Sequence, residues 1–122
     1  MNNQEELLID AIQDDDLEKV QKLLQAGVNP NILDEYDNPC IYSAITNKNL
    51  DIVTALLDKG ANPNFQPPGT TPVLLRAIAI DNIDMVNTLI NKGANPNALD
   101  LEGNPIILRA IESKKRIWLM LY

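Results

Sequence analysis

Apolar residues along the chain fall into short helical stripes that return at a fixed interval. Leu50, Val53, Leu56 and Leu57 are spaced i, i+3, i+6 and i+7, the pattern of one buried helix face. The same stripe stands at Leu17, Val20, Leu23 and Leu24, and again at Ile83, Val86, Leu89 and Ile90, a step of 33 residues each way. A shorter stripe, Ile41, Ala44 and Ile45, precedes the middle one, with polar Thr46-Asn47-Lys48-Asn49 between them. Each interval therefore predicts a short helix, a turn and a second helix. Gly27, Gly60 and Gly93 stand just past the second stripe, where a chain leaving a helix turns left-handed and glycine does so without steric cost. Pro39, Pro72 and Pro105 keep the same step, as do Ala11, Ala44, Ala77 and Ala110. The small alanine marks where the two helices of a pair approach closely.

The ends of these elements also read in register. Asn38 is expected to cap the first helix of its unit, with Pro39 at the first helical position, where a missing N–H costs nothing. Thr71-Pro72 and Asn104-Pro105 repeat that start. Asn2-Asn3 with Glu5 and Glu6 three residues on has capping-box spacing and suits a polar N-terminal end. KGANPN occupies residues 59–64 and 92–97, and AGVNPN occupies 26–31. Each copy ends a helix, reverses the chain and brings it to the same point on its neighbour. No unit can bury its stripe alone, so the units must stack.

These residues resemble the ankyrin repeat, whose pattern runs roughly D-x-x-G-x-T-P-L-H-x-A, x-x-x-G-H, an apolar helix and G-A-D-x-N. Asp34 and Asp100 match its first Asp, Gly103 its hairpin glycine, and the GANPN segments its close. The resemblance covers essentially all of residues 4–122. It implies an all-α ankyrin-type solenoid of stacked antiparallel helix pairs joined by extended hairpin loops. One domain over residues 1–122 is expected, with units at roughly 1–33, 34–66, 67–99 and 100–122, the last cut short. The chain departs from the pattern at T-P-L-H. Pro39, Pro72 and Pro105 hold the Thr position, and Tyr42, Leu75 and Leu108 the His position, in a sequence without histidine. Because that Thr and His tie neighbouring loops in the family, a less constrained loop connection is expected.

Charge narrows the partners. Residues 1–37 carry ten acids and two lysines, residues 38–97 four acids and four bases, and residues 98–122 three acids and four bases, giving the net −7 of the chain. Such a balance repels nucleic-acid phosphates and anionic membranes. No apolar run approaches the ~20 residues of a membrane span. One cysteine allows no internal disulfide, and a reducing, cytoplasmic setting is expected, with delivery into another cell left open.

Nothing in the sequence assembles a catalytic site, and no enzyme, cofactor or metal is expected: there is no histidine, no phosphate-binding glycine loop and no calcium loop. Asp14-Asp15-Asp16 reads as a solvated turn with Asp16 capping the helix that opens at Leu17. Cys40 shares its slot with Val73 and Ile106, which argues for packing rather than reactivity. The C-terminal Arg116-Ile-Trp-Leu-Met-Leu-Tyr122 is apolar all round. It covers the open end of the stack, joins a second copy through Ile117, Trp118, Met120 and Leu121, or is buried by a further unit of a longer array; the three readings stay open.

The resemblance further implies a non-enzymatic protein–protein interaction module that holds another protein on its concave hairpin and inner-helix face. Carried over by position, that face comprises Glu35, Tyr36 and Asn38, then Pro68 and Thr71, then Leu101, Glu102 and Asn104. The helix ends add Gln13, Asp14, Thr46, Asn47, Ala79, Ile80 and Glu112. The acidic first unit suits a partner with a basic surface. The rival reading is a terminal piece of a larger ankyrin-containing protein, or a structural unit that self-associates through the apolar C-terminal helix.

Overall fold

A computed structural model of the chain describes residues 3–106. Within that span lie six helices and no strand: α1 (Asn3–Gln13), α2 (Leu17–Gln25), α3 (Cys40–Thr46), α4 (Leu50–Asp58), α5 (Val73–Ala79) and α6 (Ile83–Asn91). The second helices open at Leu17, Leu50 and Ile83, as the stripes require. The C-terminal residues 107–122, with Glu112 and the apolar segment from Arg116, lie outside the described residues, as does Asn2.

The chain divides into two compact units, residues 1–62 and 63–122. In the first, α1 pairs with α2 and α3 with α4, while α1 packs on α3 and α2 on α4. Like helices therefore stack on like. In the second unit α5 pairs with α6. The first helices bury Leu8, Ala11 and Ile12, then Ile41, Ala44 and Ile45, then Leu74, Ala77 and Ile78. The alanines are enclosed, as close helix approach demands. Val20, Val53 and Val86 form the matching core of the second helices. That core is wider than the four-residue stripe, because Ile52 and Met85 are also fully buried while Leu17, Leu50 and Ile83 are half-buried. Lys19 holds the place of Ile52 on α2 and is exposed.

The first-helix caps differ from the sequence expectation. The N-cap of α3 is Pro39 and that of α5 is Pro72, each extended at φ −56, ψ 140 and without a side-chain cap bond. Neither Asn38 nor Thr71 caps. Because Pro39 and Pro72 themselves hold an extended ψ, each helix starts one residue later than the Asn-Pro and Thr-Pro pairs suggest. Asn38 is also committed elsewhere: its N–H donates to Asp34 Oδ1 (3.1 Å) and its carbonyl accepts from the Asp34 N–H (2.8 Å). The second helices do have side-chain caps. Asp16, Asn49 and Asn82 each accept from the third residue on, Lys19, Ile52 and Met85, at 3.1 Å.

Two turns per unit need left-handed backbone. After each second helix, Gly27, Gly60 and Gly93 adopt φ of 95, 98 and 103. Their N–H groups donate to Leu24, Leu57 and Ile90, and the next N–H groups reach back to Leu23, Leu56 and Leu89, the paired bonds of a Schellman motif. Between the helices of a pair, non-glycine residues take the left-handed place: Asp15 (φ 57), Lys48 (φ 60) and Asp81 (φ 61).

Asparagines after the first two glycines tie one glycine turn to the turn of the following repeat. Asn31 Nδ2 donates to the Gly60 carbonyl (3.1 Å), and its Oδ1 accepts from the Asn62 N–H (2.7 Å). Asn64 repeats this on Gly93 (2.9 Å) and Asn95 (2.8 Å). Each clamp spans one unit length, and so the loop connection is tied despite the missing Thr and His.

Lysine gains nothing from the left-handed region, whereas aspartate tolerates it. Lys48→Gly removes a Cβ penalty of about 1–2 kcal/mol and adds unfolded-chain entropy worth about 0.5–1 kcal/mol. We expect a net gain of about 0.5–1 kcal/mol in urea unfolding, and a smaller gain for Asp15→Gly, which loses the Asn49 Nδ2 donor at 3.3 Å. Destabilisation by Lys48→Gly would contradict this account.

Candidate partner-binding surface

Between the helix pairs the chain extends into fingers at residues 33–39, 66–72 and 99–105. The first is closed by Asp34, an acid only 6% exposed. Its Oδ1 accepts from the N–H groups of Tyr36 (2.8 Å) and Asn38 (3.1 Å), and Leu33 pairs antiparallel with Pro39. Asp100 closes the third finger in the same way, on Glu102 and Asn104 at 2.9 Å, with Leu99 opposite Pro105. Left-handed residues complete both turns, Asp37 (φ 62) and Gly103 (φ 83). The second finger has Pro67 where the others have Asp. It closes instead through the Thr70 hydroxyl, which donates to the Pro67 carbonyl (2.6 Å), and through Gln66 Nε2 on the Thr70 carbonyl (2.9 Å).

These closures leave the tips in solvent. Tyr36 is 74% exposed and Leu101 is 63% exposed. Of the positions assigned to a partner, Gln13, Asp14, Glu35, Asn47, Pro68, Ala79, Glu102 and Asn104 are exposed as well. Asn38, Thr46, Thr71 and Ile80 are half-buried, Ile80 as the residue that ends α5. None of the described positions is buried.

In the first unit a cleft of about 380 Å3 brings two of these positions together. Gln13 of α1 and Glu35 of the first finger line it with Glu6, Ile9 and Asp10. The last three were not assigned to a partner from the sequence, although Glu6, Asp10 and Gln13 follow the i, i+4, i+7 spacing of one helix face. Glu18 pairs with Lys22 at 3.2 Å, but Glu6, Asp10 and Glu35 join no ion pair among the described residues. The cleft is therefore anionic with an apolar patch at Ile9.

Asp14-Asp15-Asp16 is a helix–helix turn, with Asp16 spent on its cap and Asp15 bonded to Asn49. Among the described residues no group of three potential ligands is placed to hold a metal, and no helix is long and apolar enough to cross a membrane. Cys40 is 2% exposed, and its thiol donates to the Pro30 carbonyl at 3.2 Å. Burial pushes the thiol from 9.0 up to about 12, and the Asp34 carboxylate adds to the shift. It is no nucleophile at neutral pH.

The unfolded thiol ionises near 9.0 while the folded one holds its proton to about 12. Stability from this group is intact below the lower value and falls as pH rises between the two, by about 1.4 kcal/mol per unit. At pH 8 we expect iodoacetamide to label the folded chain about 10³-fold more slowly than the chain in urea. The alkaline loss should shrink in Cys40→Val. Equal labelling rates would place the thiol at the surface.

Known proteins give the same reading. A family model described as ankyrin repeats (3 copies) matches residues 8–100. A protein of Rickettsia felis named for ankyrin repeats is 72% identical over 43 residues, covering 35% of this chain and 11% of the relative. One of Rickettsia bellii, named in the same way, is 72% identical over 40 residues, covering 33% of this chain and 6% of the relative. The chain thus matches only a small part of the length of either. With three repeats carried by the helix pairs, glycine turns and Asp-closed fingers already described, the chain belongs to the ankyrin repeat family.

Proposed function

We propose that the chain is a non-enzymatic protein-binding module that contacts its partner through the finger tips and the inner ends of the first helices. Ankyrin repeats generally mediate protein–protein interaction, and this chain supplies a surface suited to it. The observation that carries the reading is the pairing of locked finger bases with exposed apolar tips. Asp34 and Asp100 fix the backbone from inside, so Tyr36 and Leu101 are held out at little further entropic cost on binding. Aromatic residues presented in this way are frequent anchors of interfaces.

The first unit supports a partner segment with basic groups. Its cleft carries Glu6, Asp10 and Glu35 beside Ile9, and residues 1–37 hold a net charge of −8, from ten acids and two lysines. Charge of this kind speeds and orients encounter more than it adds affinity, and salt screens it. A cytoplasmic setting fits the single thiol, which needs no oxidising compartment.

The test is capture from native lysate on immobilised parent chain and on Tyr36→Asp combined with Leu101→Asp. Both sites are exposed, so circular dichroism should be unchanged. We expect the proteins retained by the parent to fall by about tenfold or more on the variant. Raising salt from about 50 mM to 500 mM should slow association. Retention of the same proteins with equal strength on both matrices would remove the tips from the interface.

A further inference from the structure

The cleft of the first unit is lined by α1 through Glu6, Ile9, Asp10 and Gln13, and by the first finger through Glu35. The repeat step of 33 residues shows what the fold asks of each place. Ile9 becomes Tyr42 and then Leu75, all half-buried, so an apolar residue is common to the three units. The acids are not common to them. Glu6 becomes Pro39 and Pro72, Asp10 becomes Ser43 and Arg76, and Glu35 becomes Pro68 and Leu101. Helix pairs and fingers therefore form without a carboxylate at any of these positions.

In the first unit the carboxylates also work against the helix that carries them. Glu6 and Asp10 are like charges at i, i+4, which destabilise a helix. Asp10 stands in the last turn of α1, the negative end of the helix dipole. No base lines the cleft, and Glu6, Asp10 and Glu35 join no ion pair among the described residues. Three carboxylates on two elements thus surround a half-buried isoleucine, an arrangement the sister units avoid. Among the described residues no three ligands are placed for a metal ion, and an isoleucine floor suits an apolar stem rather than a hydrated cation.

Resting on the reading that the fingers and inner helix ends meet a protein, we propose that this cleft receives one arginine side chain of that partner. Its methylene stem lies along Ile9, and its guanidinium is shared between Glu6 and Asp10 of α1 and Glu35 of the finger. The planar fork of arginine bonds carboxylates from two directions and gives up water more readily than an ammonium. The cleft, at about 380 Å3, stands at the lower end of the roughly 300–1,000 Å3 of small-ligand sites and accommodates a side chain rather than a helix.

The experiment titrates the isotopically labelled full chain with the blocked tripeptide Ala-Arg-Ala, followed by backbone amide resonances. Ala-citrulline-Ala supplies the same shape without charge, and Ala-Lys-Ala the charge without the fork. We expect the arginine peptide to shift Ile9, Gln13 and Glu35, the lysine peptide to bind more weakly, and the citrulline peptide to leave them unmoved. Asp10→Asn combined with Glu35→Gln should weaken the arginine peptide by about tenfold or more. The same variant should melt about 1–3 °C higher than the parent without peptide, since repulsion is relieved; Glu6 is kept because an acid favours the first turn. Shifts of equal size at acids outside the cleft, such as Asp51 and Asp84, overturn the proposal. So do equal binding of the lysine peptide, undiminished binding to the variant, or a lower midpoint, which would assign the acids to the fold. If capture from lysate depends on the tips and the tripeptide is not bound, the arginine assignment fails alone. If the tripeptide binds and capture ignores the tips, the tip reading fails and the cleft stands.

Discussion

The turns after α4 and α6 each present a glycine carbonyl and an asparagine N–H, and the asparagine of the preceding turn takes both. Two hydrogen bonds at an exposed site contribute about 0.5–1.5 kcal/mol each, a small sum beside the apolar burial. Their weight is geometric. A clamp from Asn31 to Gly60 and Asn62 closes only if the intervening finger, two helices and turns have one length. Asn64 sets the same requirement for the next unit. The period of 33 is thus a condition of joining units, and one inserted residue would cost the clamp and shift the helix stripe together.

That constraint explains where the chain accepts strain. The helix–helix turn must be left-handed in every unit if the second helix is to return onto the first. Glycine would be the relaxed choice, yet Asp15, Lys48 and Asp81 stand there. Such residues persist only when their surroundings over-determine them. Here the next residue supplies part of that support, since Asp16, Asn49 and Asn82 cap the second helices. The cap bond and the apolar stripe together hold a turn that the local backbone disfavours.

Much of this was legible in the sequence because the signals repeat. Spacing alone located the second helices, the glycine turns and the buried slot shared by Cys40, Val73 and Ile106. The first-helix start was misread by one residue because Asn-Pro looks like a cap followed by a first helical position. Only the finger bonds of Asn38 show that its backbone is already used. Ile52 was missed for a different reason: a stripe taken from one isolated helix leaves out the face that α4 packs on α2. The clamp was invisible as well, since nothing in Asn-Pro-Asn says which asparagine reaches across. For the binding surface, exposure at the tips followed from the hairpin pattern, but the cleft joining Glu6 and Asp10 to Glu35 needed the finger placed beside α1.

The fingers separate what the fold needs from what a partner reads. The bases of the first and third make the same four contacts, two Asp carboxylate bonds and two across the antiparallel pair. Their tips differ: Glu35-Tyr36 in one becomes Leu101-Glu102 in the other, acid and apolar residue in reversed order. The second finger goes further and replaces the Asp closure by Pro67 and Thr70, yet a tight turn still results. Because no tip side chain is used to close its own finger, tip chemistry can change without disturbing the stack. The same independence makes the family readable from spacing while the partner is not, since the residues that would recognise it are those the fold leaves unconstrained.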